Sequence, residues 1–376
     1  MSKSTKPHIA ILATGGTIAG LANLNASTHK THHNNEYTAG VLSVDEILDS
    51  LAKKGYKKDK KTNKKSIQNL AHISTKQIAN IDSADMGDEV WLALAKEIEI
   101  LCGNSKVNGI VITHGTDTLE ESAYFLHLIA KTQKPIVLVG AMRPANAPNS
   151  DGGKNLYNAI ALAAHKDAKG VMIAMGGKIF SPRYASKSHT HRLNAFCASI
   201  VLGSVRNGEV KLSKFAKKSR LGKKSTKLAK LAKSQKESVP KRFLGHCLQN
   251  RAPFCVRDCL ALPKVDILYS YSNDGSAVAA NAFFAHGAQG LVIAGSGEGS
   301  IHQAHKNALK ELILRGVVVV ISSRINVGCV ELKEADKKAG FISSGELNPQ
   351  KARVLLMLCL TRTRNKAKIQ EYFETY

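Results

Sequence analysis

Apolar residues fall along the first half of this chain in short, dense runs, each followed by a polar or glycine-rich loop. Residues 8–13, 109–113, 135–140 and 171–175 are such runs, and they read as buried strands. Helical spacing lies between them. Ala123, Leu126 and Ile129 follow Thr118-Leu119-Glu120-Glu121, which has capping-box spacing, and residues 155–164 form a second helical pattern. This alternation is the pattern of parallel βαβ construction. It breaks at residue 206 and returns with strands at 265–271, 290–294 and 317–321 and helices at 301–315 and 349–361. The expected fold is α/β: a larger N-terminal domain over residues 1–205, with a mainly parallel sheet flanked by helices, and a smaller C-terminal α/β domain over 263–376. A basic linker or insertion, 206–262, separates them.

Length agrees with two domains, because 376 residues exceed what one compact core organises. No apolar run approaches the 18 or more residues of a membrane-spanning helix, so no membrane partner is expected. The net charge of +25 suggests nucleic acid until it is located. Residues 53–65 carry eight lysines against Asp59, and residues 211–242 carry thirteen basic residues against Glu237, together +19 of the total. The body of the chain is therefore nearly neutral, with two basic insertions attached. Their only aromatics are Tyr56 and Phe215, too few for a base-stacking platform. A solvated surface excursion is the plain reading, and weak, salt-sensitive contact with polyanions is the alternative from another class. The seven cysteines are scattered, unlike the framework of a small secreted domain. Lys3 and Lys6 before the apolar residues 9–13 imitate an export signal, but the loop that interrupts this run carries the candidate chemistry, so a cytoplasmic protein is expected.

In open α/β sheets, ligands bind beyond the carboxyl ends of strands. Three loops in that position are rich in hydroxyls, glycines and a carboxylate: Thr14-Gly15-Gly16-Thr17, His114-Gly115-Thr116-Asp117-Thr118 and Gly140-Ala141-Met142-Arg143-Pro144. The two glycines of the first let backbone approach a small ligand and present the hydroxyl of Thr14 or of Thr17, either of which needs a nearby base to become a nucleophile. The bland reading is a βα turn with capping threonines, and the glycine spacing is not that of a dinucleotide fingerprint. In the second loop Asp117 could hold an ammonium group and Thr116 could position water, or Asp117 and Thr118 could be simple caps. His29, His32 and His33 fit a polar lid better than a metal site, and His246, Cys247, Cys255 and Cys259 lack a C-x-x-C pair. No metal is expected. The loop 295–299 reads as a strand-to-helix turn.

ILATGGTIAG at 11–20 and VITHGTDTLEESAYFL at 111–126 resemble the two signature blocks of the bacterial type II L-asparaginases. The likeness continues through VGAMRP at 139–144, DGGKNLYNA at 151–159, SSR at 322–324 and LNPQKARVLL at 347–356, leaving out only the lysine-rich insertions. The resemblance implies an amidohydrolase without metal or organic cofactor that splits the side-chain amide of L-asparagine by double displacement. It implies Thr17 as nucleophile with Tyr37 helping to activate it, and Thr116, Asp117 and Lys187 as the second catalytic group. Gly16, Ser83, Thr116 and Asp117 are implied to bind substrate, with Ser83 on the α-carboxylate. Ala84 stands where the family usually has a polar side chain, which leaves substrate preference open. The family assembles as a dimer of dimers, and Asn273 matches a residue supplied by the partner; Glu331 and Glu334 are both candidates for a partner glutamate. Three alternatives stand beside this: a glutaminase-asparaginase with a roomier pocket, a transfer-RNA amidotransferase subunit, and a polyanion-binding protein on an amidase scaffold. The amidotransferase family carries an additional N-terminal domain, whereas the nucleophile block here begins at residue 11.

Overall fold

The computed structural model describes residues 6–22, 37–53, 67–213, 252–257, 259–274 and 277–376. The histidines at 29, 32 and 33, the lysine-rich residues 54–65 and 214–242, His246 and Cys247 lie outside these, as does the side chain of Tyr37. The chain divides into two compact units.

The first unit is built on an eight-stranded sheet. Its strands are β1 (His8–Gly15), β4 (His72–Ile81), β5 (Gly109–Thr113), β6 (Pro135–Val139), β7 (Gly170–Met175), β8 (Lys178–Phe180), β11 (Val201–Arg206) and β12 (Glu209–Leu212). Two short ribbons stand apart from it: β2 (Leu21–Ala22) with β3 (Tyr37–Thr38), and β9 (Ser186–Lys187) with β10 (Phe196–Cys197). The order across the large sheet is β12-β11-β8-β7-β6-β5-β1-β4, parallel from β4 to β7 and antiparallel beyond. Every residue of β5, β6 and β7 is buried, as strands covered on both faces must be. The helices are α1 (Val44–Lys53), α2 (Ile67–Leu70), α3 (Asp88–Gly103), α4 (Leu119–Ile129) and α5 (Gly152–Ala163). Because β4 and β5 lie on opposite sides of β1, the chain reverses its winding there, and the crevice at such a reversal is where open sheets bind ligands.

Three sequence expectations need correction. The N-terminal sheet does not stop at residue 205: β11 and β12 form a hairpin through Asn207 and Gly208, both at positive φ, the signature of a tight two-residue turn. Residues 252–257, assigned to the linker, pack on the first unit, with Phe254 fully buried and its N–H donating to the Leu128 carbonyl at 3.3 Å. Thr118 does not cap α4 with its side chain; its hydroxyl donates instead to the Ser83 carbonyl at 2.7 Å.

The second unit carries a four-stranded parallel sheet, β13 (Val265–Tyr269), β14 (Gly290–Gly295), β15 (Val318–Ser323) and β16 (Ile342–Ser343), in chain order. Its helices are α6 (Val278–Ala285), α7 (Gln303–Leu314), α8 (Glu334–Lys338), α9 (Pro349–Leu360) and α10 (Lys366–Thr375). Leu291, Ile293, Val319 and Ile321 pack with Leu309, Leu312 and Ile313 of α7, while Leu356 and Leu360 of α9 press on Gly290. Asn348 caps α9, its side chain accepting from the Lys351 N–H at 3.0 Å. Proline at the first position then costs the helix nothing, since that N–H has no partner within the helix.

Candidate active site

Three loops converge at the carboxyl ends of β1, β4 and β5. After β1 the backbone turns through Gly15 and Gly16 at φ 98° and 78°, a region that side chains disfavour. The Gly16 N–H donates to the Ile81 carbonyl at 2.8 Å, tying this turn to the end of β4. A Cβ on Gly16 would lie 2.3 Å from the Gly115 backbone, and one on Gly115 would lie 2.5 Å from Ser83 Oγ. The glycines are thus there for close approach: Gly16, Gly115 and Ser83 stack in contact. Ser83 is buried at the start of a single 3-10 turn, Ser83–Asp85, whose cap Asp82 accepts from the Ala84 N–H at 3.0 Å.

The structure separates the two threonines left open by the first loop. Thr14 is buried and its hydroxyl donates to the Thr113 carbonyl at 3.0 Å, bracing β1 against β5. Thr17 follows the double glycine and opens the 3-10 turn Thr17–Ala19, within the convergence of the loops. Tyr37 is brought back towards this turn by the ribbon in which it pairs with Ala22, three residues before Gly40 bonds its N–H to the Gly16 carbonyl at 3.2 Å.

Lys187 arrives from β9. Its Nζ donates to Thr116 Oγ1 at 3.0 Å and forms an ion pair with Asp117. The ammonium is mostly covered whereas Asp117 is largely open, so the aspartate keeps its second oxygen for a ligand. Buried Glu120, in the first turn of α4, accepts from the Lys187 backbone N–H at 3.3 Å and the Ser186 hydroxyl at 3.2 Å. Sequence reading missed Glu120, because its partner lies 67 residues away. Asn273 belongs to the second unit, exposed in the turn after β13 at φ 65°. Glu334 pairs with Lys337 at 2.6 Å, while Glu331 follows Val330, which is bridged to Gly345.

The loop after β6, residues 140–144, is held by Asp151, whose carboxylate accepts the N–H groups of Met142 and Arg143 at 3.0 Å. Burial raises its pKa, and these backbone bonds oppose the rise. Behind the second loop runs a buried chain: Trp91 Nε1 donates to Ser122 Oγ at 2.8 Å, Ser122 meets His114 Nε2 at 2.8 Å, and His114 Nδ1 meets the Gly115 carbonyl at 2.7 Å. The carbonyl can only accept, so Nδ1 carries the proton and a neutral ring takes the Ser122 proton at Nε2. Burial pushes His114 down to about 4, against the bond to Gly115. His127 falls equally, through burial and the positive charge of Arg183. Both rings stay neutral in the folded protein while the unfolded chain takes up protons below about pH 6.5. Their stabilisation is complete above that value and is lost as pH falls towards 4, by up to about 3 kcal/mol for each ring. Melting temperatures between pH 7 and 4.5 should therefore fall, with a shallower fall for His114→Gln; equal slopes would contradict the buried neutral ring.

The comparisons agree with this architecture. The N-terminal asparaginase family model matches residues 8–218, and that of the glutaminase/asparaginase C-terminal domain matches 264–373. A probable periplasmic L-asparaginase of Haemophilus influenzae is 39% identical, the match covering 98% of this chain and 93% of that one. A glutaminase-asparaginase of Pseudomonas fluorescens is 35% identical over 100% of this chain and 92% of its own. The crystal structure of a probable cytoplasmic L-asparaginase from Campylobacter jejuni superposes with a TM-score of 0.79 at 46% identity, covering 99% of this chain and all of that one. With both domains matched in order and relatives above 30% identity along almost its whole length, the chain belongs to the asparaginase family of amidohydrolases.

Proposed function

We propose that the protein hydrolyses L-asparagine to L-aspartate and ammonia through an ester on Thr17. The observation that carries this is the meeting of Lys187 Nζ with Thr116 Oγ1 and Asp117 beside the Thr17 loop. Thr17 Oγ attacks the carboxamide carbon, helped by Tyr37, and N–H groups of the glycine-rich loops stabilise the oxyanion. The Thr17 proton passes to the departing nitrogen, which leaves as ammonia. Water positioned by Thr116, Asp117 and Lys187 then cleaves the β-aspartyl ester and restores the hydroxyl. Ser83 and Gly16 hold the α-carboxylate end and Asp117 the α-amino end, so the amide is fixed within reach of Thr17.

Asn273 completes the site of another copy in a homotetramer built as a dimer of dimers. Tyr269 at the end of β13, Tyr271 after it, and Ile325 and Val327 after β15 are exposed and supply apolar surface for such an interface. A solution mass other than four times the 40.5 kDa chain would contradict the tetramer. The compartment we propose is the cytoplasm, which cell fractionation would check. Glutamine is the second reading, since one methylene shifts selectivity by only about 1–3 kcal/mol. Ammonia release from both amides decides: asparagine is expected to exceed glutamine in kcat/KM, parity would favour the broad enzyme, and no release from either would overturn the proposal.

A further inference from the structure

The capping-box spacing after the second signature proves to be something else. Thr116 and Asp117, just before α4, hold the ammonium of Lys187. Thr118 donates its hydroxyl to the Ser83 carbonyl at 2.7 Å rather than to its own helix. Two residues on, Glu120 turns from the helix and accepts the Lys187 backbone N–H and the Ser186 hydroxyl through one carboxylate oxygen, at 3.3 and 3.2 Å. Four of the five residues 116–120 thereby connect one helix start to Ser83 or to β9.

β9 needs such a support. It is two residues long, pairs with the two residues of β10, gains one further backbone bond from the Ser188 N–H to the Ala195 carbonyl at 2.7 Å, and is separate from the eight-stranded sheet. A ribbon this short has little stability of its own. Lys187 nevertheless has to bring Nζ to two specific oxygens from the end of a flexible four-carbon stem. We propose that Glu120 is a positioning residue for the reaction: it anchors the Lys187 backbone to the helix turn that carries Thr116 and Asp117, so that lysine and partners move as one body. Glu120 touches neither substrate nor reacting atoms in this scheme. Its place in the first turn of α4 suits the role, since the positive end of the helix dipole stabilises a carboxylate there.

The inference rests on Lys187 belonging to the catalytic group, and the test keeps the two ideas apart. Glu120→Gln keeps the length and the accepting oxygen but loses the charge. Glu120→Asp keeps the charge but withdraws the oxygen by one methylene. Positioning predicts that Gln retains kcat for asparagine within about threefold. Asp should lose about tenfold or more, with KM changed far less, because a displacement near 1 Å can cost about 10²-fold in rate. In a Lys187→Met background the Asp substitution should lower kcat no further. Melting temperature and native mass, measured on each variant, confirm that assembled protein is compared. An active Asp variant beside an inactive Gln variant would overturn the proposal, since charge rather than reach would then matter. Equal losses with and without Lys187 would overturn it too, showing that Glu120 acts through the fold alone. Full activity in Lys187→Met would instead sink the assignment of the lysine itself.

Discussion

Thr17→Ala should reduce ammonia release from asparagine by roughly 10³-fold or more while leaving KM nearly unchanged. The reason is chemical: removing a nucleophilic hydroxyl abolishes the covalent route, and what remains is catalysis by binding and oxyanion stabilisation. Thr17→Ser should keep measurable turnover, because serine retains the hydroxyl and loses only a methyl group. Thr14 makes the contrast sharp, since it offers the same side chain three residues earlier. Its hydroxyl is bound to the Thr113 carbonyl at 3.0 Å and is buried, so Thr14→Val should cost about 1 kcal/mol of stability and little kcat. Steady-state kinetics of the three variants, with melting temperatures, would settle which threonine attacks. A Thr17→Ala enzyme with ordinary turnover would end the ester mechanism.

The loops proposed to bear the chemistry are legible because each follows a short apolar run that could hardly be anything but a buried strand. Residues 109–113 and the turn after them were read with their observed bounds. The edge strand β4 was not, for a physical reason: its side chains alternate only loosely between exposed and half-buried, and no dense apolar run marks it. Helix α3 is absent from the sequence expectations, although Val90, Leu94 and Ile98 recur on its buried face at helical spacing. At the other end of the sheet, β8, β11 and β12 are antiparallel and short, and the lysine-rich stretch beginning at Lys211 masks the Asn207-Gly208 turn in the sequence pattern. Thr118 shows why local motifs mislead. Its spacing to Glu121 satisfies the helix-capping rule, yet the Ser83 carbonyl, 35 residues away, takes its proton. Glu120 was invisible for the same cause, its meaning residing in a strand that only the fold brings near.

Gly16→Ala is the substitution for which the geometry predicts the widest damage. Two independent penalties meet at this position. At φ 78° and ψ −173° the backbone lies in a region that is essentially glycine's alone, and a side chain there costs about 1–3 kcal/mol. The added Cβ would also fall 2.3 Å from the Cα and N of Gly115, and because that neighbour is backbone, no rotamer can relieve the overlap. Forcing extra atoms into packed surroundings typically costs about 1–3 kcal/mol, so the expected loss of stability is about 2–6 kcal/mol. Function suffers beyond this, since the clash is relieved only by parting the loop that carries Thr17 from the loop that carries Thr116 and Asp117. Turnover is therefore expected to fall by about 10²-fold or more even at temperatures where the variant remains folded. Gly287→Ala supplies the control: its φ is 85°, but nothing lies within 4 Å of the added Cβ. It should lose about 1–2 kcal/mol and keep full activity. Denaturation midpoints and ammonia release measured on both variants separate backbone strain from loop separation. Equal activity in the two would mean that the approach of Gly16 to Gly115 has no part in catalysis.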